Sequence, residues 1–256
     1  MEYWLQQFHV FLLILLRVSA LLVIAPIFGH RFFLARAKVG LAFMVSLILH
    51  PLIVAQGLQI PEGLFPYALA MMREIGMGVA MGFVVLLLFI GIQFAGQLAG
   101  LQMGFGIVNV IDPQSNEQVS IIGQFLNILA VLIVLATNGH HLILRGLAAS
   151  FEAVPLSGVK MKGEIGQKLI ELSADIFVLA VQISAPVMIS LFLISVALGI
   201  LARTVPQMNV FIVGFPVQLA VGMAVLFATL PLFYVLLENS MLALERDLIS
   251  LVDFFA

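Results

Sequence analysis

An all-α, multi-pass integral membrane fold of about six long, partly broken helices is predicted by three observations. Of the 256 residues, 63% are hydrophobic and only 9% are charged, where soluble domains carry about 25% charged residues. The mean hydropathy is +1.21. Six apolar runs meet or approach the roughly 20 residues a helix needs to cross a hydrocarbon core. The net charge of −2 gives no basic footprint for nucleic acid. The chain has no cysteine, which excludes disulfides, thiolate metal sites and cysteine nucleophiles.

The first run, Val10–Phe28, follows a start that holds Glu2 and no lysine or arginine. It is longer than a signal peptide's apolar region and lacks a small-residue cleavage site, so it is expected to stay as a first helix. Arg17 lies inside it. An isolated charge at mid-helix costs about +2.5 to +3.5 kcal/mol on insertion. Arg17 is therefore a functional or interface residue, or it pairs with an acidic residue of another helix, Asp175 or Glu74. A basic connection, Gly29–Lys38, leads to the shortest run, Val39–Ala55. The next connection, Pro51–Glu74, is bounded by Pro51, Pro61 and Pro66 and ends on Arg73-Glu74, read as an interfacial pair.

The third run, Ile75–Gly100, carries Gly78 and Gly82, then Gly96 and Gly100, and Gly104 continues the spacing just past its end. Glycines four apart form a flat stripe that lets helix backbones approach closely. The partner is either another helix of this chain or a different subunit. Gln93 and Gln97 share a helix face. Read as buried amides, they need hydrogen-bond partners, and this end of the helix faces protein or water instead of lipid.

Gly104–Gln118 reads G-F-G-I-V-N-V-I-D-P-Q-S-N-E-Q. Asp112-Pro113 is a turn signal, and Ser115 or Asn116 suits the cap of the next helix. Phe105, Ile107, Val108, Val110 and Ile111 are too apolar for a solvated turn. The fourth run is Val119–Thr137. The long connection Asn138–Ser173 holds an apolar piece (His140–Phe151), a Pro155/Gly158 break, and an amphipathic stretch with Lys160, Lys162, Glu164, Lys168 and Glu171, expected as a short helix outside the core. The fifth run, Ala174–Leu201, spans about 42 Å at 1.5 Å per residue, so it tilts, kinks at Pro186 or extends beyond the bilayer. Asp175 at its entry suits a helix N-terminus.

Arg203–Pro216, R-T-V-P-Q-M-N-V-F-I-V-G-F-P, interrupts the apolar sequence. Proline removes a donor and pushes the preceding residue out of the helical region. Such a joint is tolerated at membrane depth only inside protein or along a watery path. The sixth run, Val210–Leu237, follows, and Glu238–Ala256 extends its helix. Basic residues divide between alternate connections without a strong bias, so charge sets no orientation. His140-His141 stands without a Glu-x-x-His context, and no nucleophile–base or nucleotide-binding motif occurs. No enzyme activity, metal or cofactor is expected.

The run P-Q-M-N-V-F-I-V-G-F-P, Pro206–Pro216, resembles the signature of the FliR family of flagellar type III export-gate proteins, whose injectisome relatives are the SpaR/YscT proteins. The stretch Arg17–Gly29, the basic loop Arg31–Lys38 and the D-P-Q within Gly104–Gln118 match in order, and the resemblance covers essentially the whole chain.

The resemblance implies a single-copy subunit that joins FliP and FliQ in a conical gate, with FlhB on its cytoplasmic side, other export-apparatus proteins nearby and membrane lipid around it. Residues 1–172 would be FliP-like and residues 173–256 a FliQ-like hairpin with its turn at 203–216. The assembly would pass unfolded flagellar subunits across the bacterial cytoplasmic (inner) membrane at the flagellar basal body. Residues 104–118 would be a plug. Phe105, Ile107, Val110 and Ile111 would seal it, and Gly104, Gly106, Asp112 and Pro113 would shape it. Arg203, Pro206, Gln207, Asn209, Gly214 and Pro216 would form the hairpin joint near the entrance. A small-solute secondary transporter is the alternative, because broken helices suit one, but neither inverted repeats nor a convergent charged site is present in the sequence.

Overall fold

The computed structural model describes residues 2–29, 34–54, 61, 63–105, 120–160, 163–205, 207 and 209–255. These residues form helices and no strand: α1 (Glu2–Ile24), α2 (Pro26–Gly29), α3 (Ala35–Val54), α4 (Leu64–Gln102), α5 (Ile121–Ala136), α6 (Gly139–Ala153), α7 (Glu164–Thr204), α8 (Val210–Ala228) and α9 (Leu230–Asp253). Four of them, α1, α3, α4 and α7, are long and apolar enough to cross a membrane. The count rises to six if the broken pairs α5/α6 and α8/α9 each form one span. The chain is an all-α, multi-pass membrane protein.

Prolines account for most departures from the expected boundaries. α1 stops at Ile24 because Pro26 starts a separate turn, where its missing N–H is not needed. The connection expected over Pro51–Glu74 is shorter than predicted, since residues 64–74 are already helical. Pro66 sits in the first turn of α4, where proline is tolerated, just after Gly63 at φ +99°. α4 thus has 39 residues, about 58 Å at helical rise. The amphipathic stretch expected as a separate short helix is instead the start of α7, a single helix of 41 residues with Pro186 inside it.

The expected sixth run is broken. α8 and α9 meet at Thr229 with a 53° bend. Pro231 cannot donate to Phe227, and its ring crowds that carbonyl. The Thr229 hydroxyl donates to the carbonyls of Val225 (2.9 Å) and Leu226 (3.0 Å), which also accept its N–H, a back-bonding that often accompanies a bent helix. Between α5 and α6, Asn138 takes the left-handed conformation (φ 57°), which asparagine adopts more readily than other non-glycine residues.

The chain packs as two compact units. One comprises residues 1–88, 135–173 and 241–256, the other residues 89–134 and 174–240. Helices α4, α5, α7 and α9 contribute to both. These packing units are a different division from residues 1–172 and 173–256, which rest on resemblance.

In the first unit, α1 buries Val10, Leu13, Ile14, Arg17, Val18, Leu21 and Leu22. This is the i, i+3, i+4, i+7 stripe of a core-facing helix, so Arg17 occupies a core position and does not face lipid. α1 and α4 run parallel in a fixed register. Tyr67 donates to the carbonyl of His9 at 3.2 Å, 58 residues away, and Arg17 meets Glu74, 57 residues away. On the other side, α3 brings Phe43 edge-on to Phe11 at 5.3 Å.

Candidate functional site

Arg17 sits at the centre of a buried polar node in the first unit. Its Nε donates to Glu74 Oε2 at 2.6 Å, and both side chains are fully buried. Nη1 donates to the carbonyl and hydroxyl oxygens of Ser150 (3.0 and 3.3 Å) and to the carbonyl of Val154 (3.2 Å). Nη2 also reaches Val154 O at 3.2 Å. The guanidinium lies 4.1 Å from the centre of the Phe151 ring, a cation–π contact strengthened by the absence of water. Ser150 donates its own hydroxyl proton to Leu147 O at 2.7 Å, which leaves its lone pair for Arg17.

Four attractive groups therefore surround one cation: a carboxylate, a hydroxyl, the buried carbonyls at the C-terminal end of α6, and an aromatic face. A helix C-terminus presents unpaired carbonyls and partial negative charge, and the rigid guanidinium fork can reach several acceptors at once. Glu74 completes the node by accepting the backbone N–H of Ser157 on Oε1 at 3.1 Å. Ser157 holds φ +65° in the turn after α6. The node thus ties α1, α4, α6 and that turn together. The second acidic partner weighed for Arg17, Asp175, is exposed. The reading of Arg73-Glu74 as an interfacial pair is corrected: Glu74 points inward to Arg17, while Arg73 is half-buried.

The glycine stripes bring backbones together within the chain. A Cβ on Gly78 would overlap the Arg17 carbonyl and the Ala20 side chain, and one on Gly82 would press on Ile24 and the Leu21 carbonyl. In the second unit, a Cβ on Gly96 would come closer than 3.0 Å to the backbone of Gly123 in α5. Gly100 faces the Ser120 hydroxyl, which in turn donates to the carbonyl of Gly96 at 3.2 Å. Gln93 and Gln97 are not buried. Both lie on the exposed face of α4, because the buried arc at Gly91, Ile92, Ala95, Gly96, Ala99 and Gly100 leaves positions 93 and 97 outward.

Of the expected plug positions, Gly104 and Phe105 are described, while Gly106, Ile107, Val110, Ile111, Asp112 and Pro113 lie outside the described residues. Gly104 ends α4 at φ +92°. Phe105 N–H donates to Gly100 O at 3.0 Å and Gly104 N–H to Leu101 O at 3.1 Å. These are the paired six-to-one and five-to-two bonds of a glycine-terminated helix end.

At the hairpin joint, Arg203, Gln207 and Asn209 are exposed, and Pro206 lies outside the described residues. The Thr204 hydroxyl donates to Leu201 O at 3.1 Å and helps close α7. Asn209 caps α8, with its side-chain oxygen accepting the Ile212 N–H at 3.4 Å. Gly214 is buried against Leu198, and Gln218 donates to Ser195 at 3.2 Å, so α7 and α8 run antiparallel. Pro216 lies exposed within α8. Asn209→Ala is expected to destabilise the start of α8 by about 1 kcal/mol. Faster proteolysis or hydrogen exchange confined to residues 209–213 is the readout, and unchanged exchange there contradicts the cap.

Several residues that complete these arrangements escaped the sequence reading: Ser150 and Ser157 at the node, Gly123 opposite Gly96, Gly222 against Met103, and Phe215 against Gly104. Gly123 and Gly222 carried a signal as glycines inside apolar helices. Phe215 carried none.

Parallel and antiparallel helices sealed by glycine contacts, with one buried charge node, define a helical membrane component held by close backbone packing. The chain matches the family model described as bacterial export proteins, family 1, over residues 8–244. It is 39% identical over 252 residues to the flagellar biosynthetic protein FliR of Bacillus subtilis (strain 168), covering 96% of each chain. To the FliR of Escherichia coli (strain K12) it is 31% identical over 231 residues, 90% of this chain and 88% of that one. To the FliR of Aquifex aeolicus (strain VF5) it is 26% identical over 239 residues, 93% and 90%. The chain belongs to the FliR family of bacterial export proteins, as a membrane-embedded component of flagellar export.

Proposed function

We propose that this protein is a structural and gating subunit of the flagellar type III export gate, and that unfolded flagellar subunits cross the cytoplasmic membrane through the assembly it helps to form. The observation that carries this reading is the end-to-end likeness to flagellar relatives. Its partners in this reading are FliP, FliQ and FlhB. Residues 1–172 take the place of a FliP-like subunit and residues 173–256 that of a FliQ-like hairpin, whose joint at Arg203, Gln207, Asn209, Gly214 and Pro216 lies near the entrance.

The segment after α4 serves as the plug. The glycine-terminated helix end at Gly104 supports this, because it ends a 39-residue helix abruptly and turns the chain out at Phe105. The exposed amides Gln97 and Gln93, about two and three turns before that end, support a watery or protein-lined setting over lipid. Burying an apolar ring such as Phe105 keeps water and ions out of a closed path.

Two measurements test the reading. Tagged protein purified in mild detergent brings down FliP- and FliQ-like proteins, identified by mass spectrometry, and their absence from every preparation refutes the assembly. In membranes holding the assembled complex, Phe105→Gly and Ile107→Gly raise ion conductance, and wild-type conductance in both refutes the plug.

A further inference from the structure

We propose that Phe215 is a positioning residue of the gate: its ring seats the C-terminal end of α4 and so sets the direction in which the chain leaves that helix at Phe105. The inference rests on the gate reading, and adds to it a link between the hairpin helix α8 and the root of the plug segment.

Three contacts carry it. First, an added Cβ on Gly104 would stand 2.8 Å from Phe215 Cε2 and 2.9 Å from Cδ2, so the ring already lies flush against the glycine. Second, Met103 is fully buried, and its side chain occupies the space that a Cβ on Gly222 would need, with Cγ at 2.7 Å. Phe215 and Gly222 are seven residues apart, which places them on one face of α8 two turns from each other. That face therefore holds two consecutive residues, Met103 and Gly104, at the end of α4. Third, Gly104 sits at φ +92°, a backbone state open mainly to glycine. The direction of exit is thus set by one unusual torsion, and a ring packed against it resists any other.

The joint is built to hold that ring in place. Gly214, the neighbour of Phe215, is buried against Leu198 of α7. Pro216 follows Phe215 inside the same helix. Phe215 is also 39% exposed, so its ring is not consumed by the core and acts as a surface seat. In this way the joint sequence and Gly104, the first residue of the proposed plug segment, meet at one contact although they lie far apart along the chain.

The test is made on the assembled complex in membranes, read as ion conductance at matched complex yield. Phe215→Ala is expected to raise conductance severalfold, as Phe105→Gly does. Gly104→Ala alone is expected to raise it too, through the clash and the strained torsion. In the Phe215→Ala background, Gly104→Ala is expected to add less than it does alone, because the ring it would strike is gone. If Phe215→Ala lowers the yield, Phe215→Leu is read by the same criteria, since it keeps an apolar side chain and loses only the flat ring. If Phe105→Gly leaks while the Phe215 variants stay at wild-type conductance, the seat is refuted and the gate reading stands. Wild-type conductance in all of them refutes the gate reading and the seat together. Strictly additive effects of the 104 and 215 changes also refute the seat.

Discussion

Arg17→Leu is expected to remove most of the folded protein. The change leaves the Glu74 carboxylate fully buried without its cation, and breaking a buried pair from one side costs about 3–5 kcal/mol. It also strips a donor from the carbonyls of Ser150 and Val154 at the end of α6. Against a typical stability of about 5–15 kcal/mol, the loss is large enough to empty the native state in a marginal protein. Glu74→Leu is expected to do comparable damage by isolating the guanidinium. The double change Arg17→Met/Glu74→Leu removes both charges and recovers much of the stability, as buried ion pairs replaced by apolar side chains often do. Arg17→Lys falls between, because an ammonium keeps the charge but cannot reach Glu74, Ser150 and Val154 as a fork. Monodisperse yield and thermal midpoint in mild detergent report all four. A wild-type midpoint for Arg17→Leu contradicts the node.

Gly96→Val is the second large effect. A Cβ at position 96 meets the Cα and N of Gly123, which are backbone atoms and cannot rotate aside as a side chain can. α5 must move away from α4, and the Ser120 hydroxyl bond to Gly96 O is lost with it. Overpacking of a tight contact costs about 1–3 kcal/mol, and the upper end applies where backbone meets backbone. Gly96→Ala already creates most of the overlap. Gly199 supplies the contrast, since an added Cβ there meets nothing within 4 Å. In the isolated chain Gly199→Ala is expected to stabilise α7 by up to about 1 kcal/mol through helix propensity. Thermal midpoints of the purified variants separate the two sites. Equal midpoints for Gly96→Ala and Gly199→Ala contradict the α4–α5 contact.

The helical membrane fold was legible from composition and run length, because those report directly on which surfaces can face lipid. Helix ends were less legible, and the reason is proline. Pro66 reads as the edge of a connection and Pro231 lies unremarked inside the sixth run, and position within a turn decides both outcomes. In the first turn of α4 there is no hydrogen bond to lose, whereas at Pro231 the carbonyl of Phe227 stands in the way. Arg17 announced itself as a charge in an apolar run, yet nothing local chooses Glu74 over Asp175. That choice depends on the parallel register of α1 and α4, which is a tertiary fact. Ser157 enters the node through its backbone N–H, which no side-chain pattern can reveal. Gly104 was legible as a glycine at a helix end, but its partner Phe215 lies on another helix 111 residues away and only the packed structure joins them. Gln93 and Gln97 were misread as buried because amides inside an apolar run imply burial, whereas spacing alone leaves the orientation of the helix face undetermined.

If flagellar subunits pass through the assembly beside the end of α4, as we propose, a thiol placed there meets them in transit. The chain has no cysteine, so Phe105→Cys places a single thiol at that point. In cells expressing this variant, an export substrate stalled by a folded domain at its end and carrying one cysteine in its unfolded stretch is oxidised and analysed for a mixed disulfide. A crosslink is expected at position 105 and none from Met44→Cys, a change on the exposed apolar face of α3. A stalled substrate that crosslinks at position 44 and never at position 105 contradicts the proposed path.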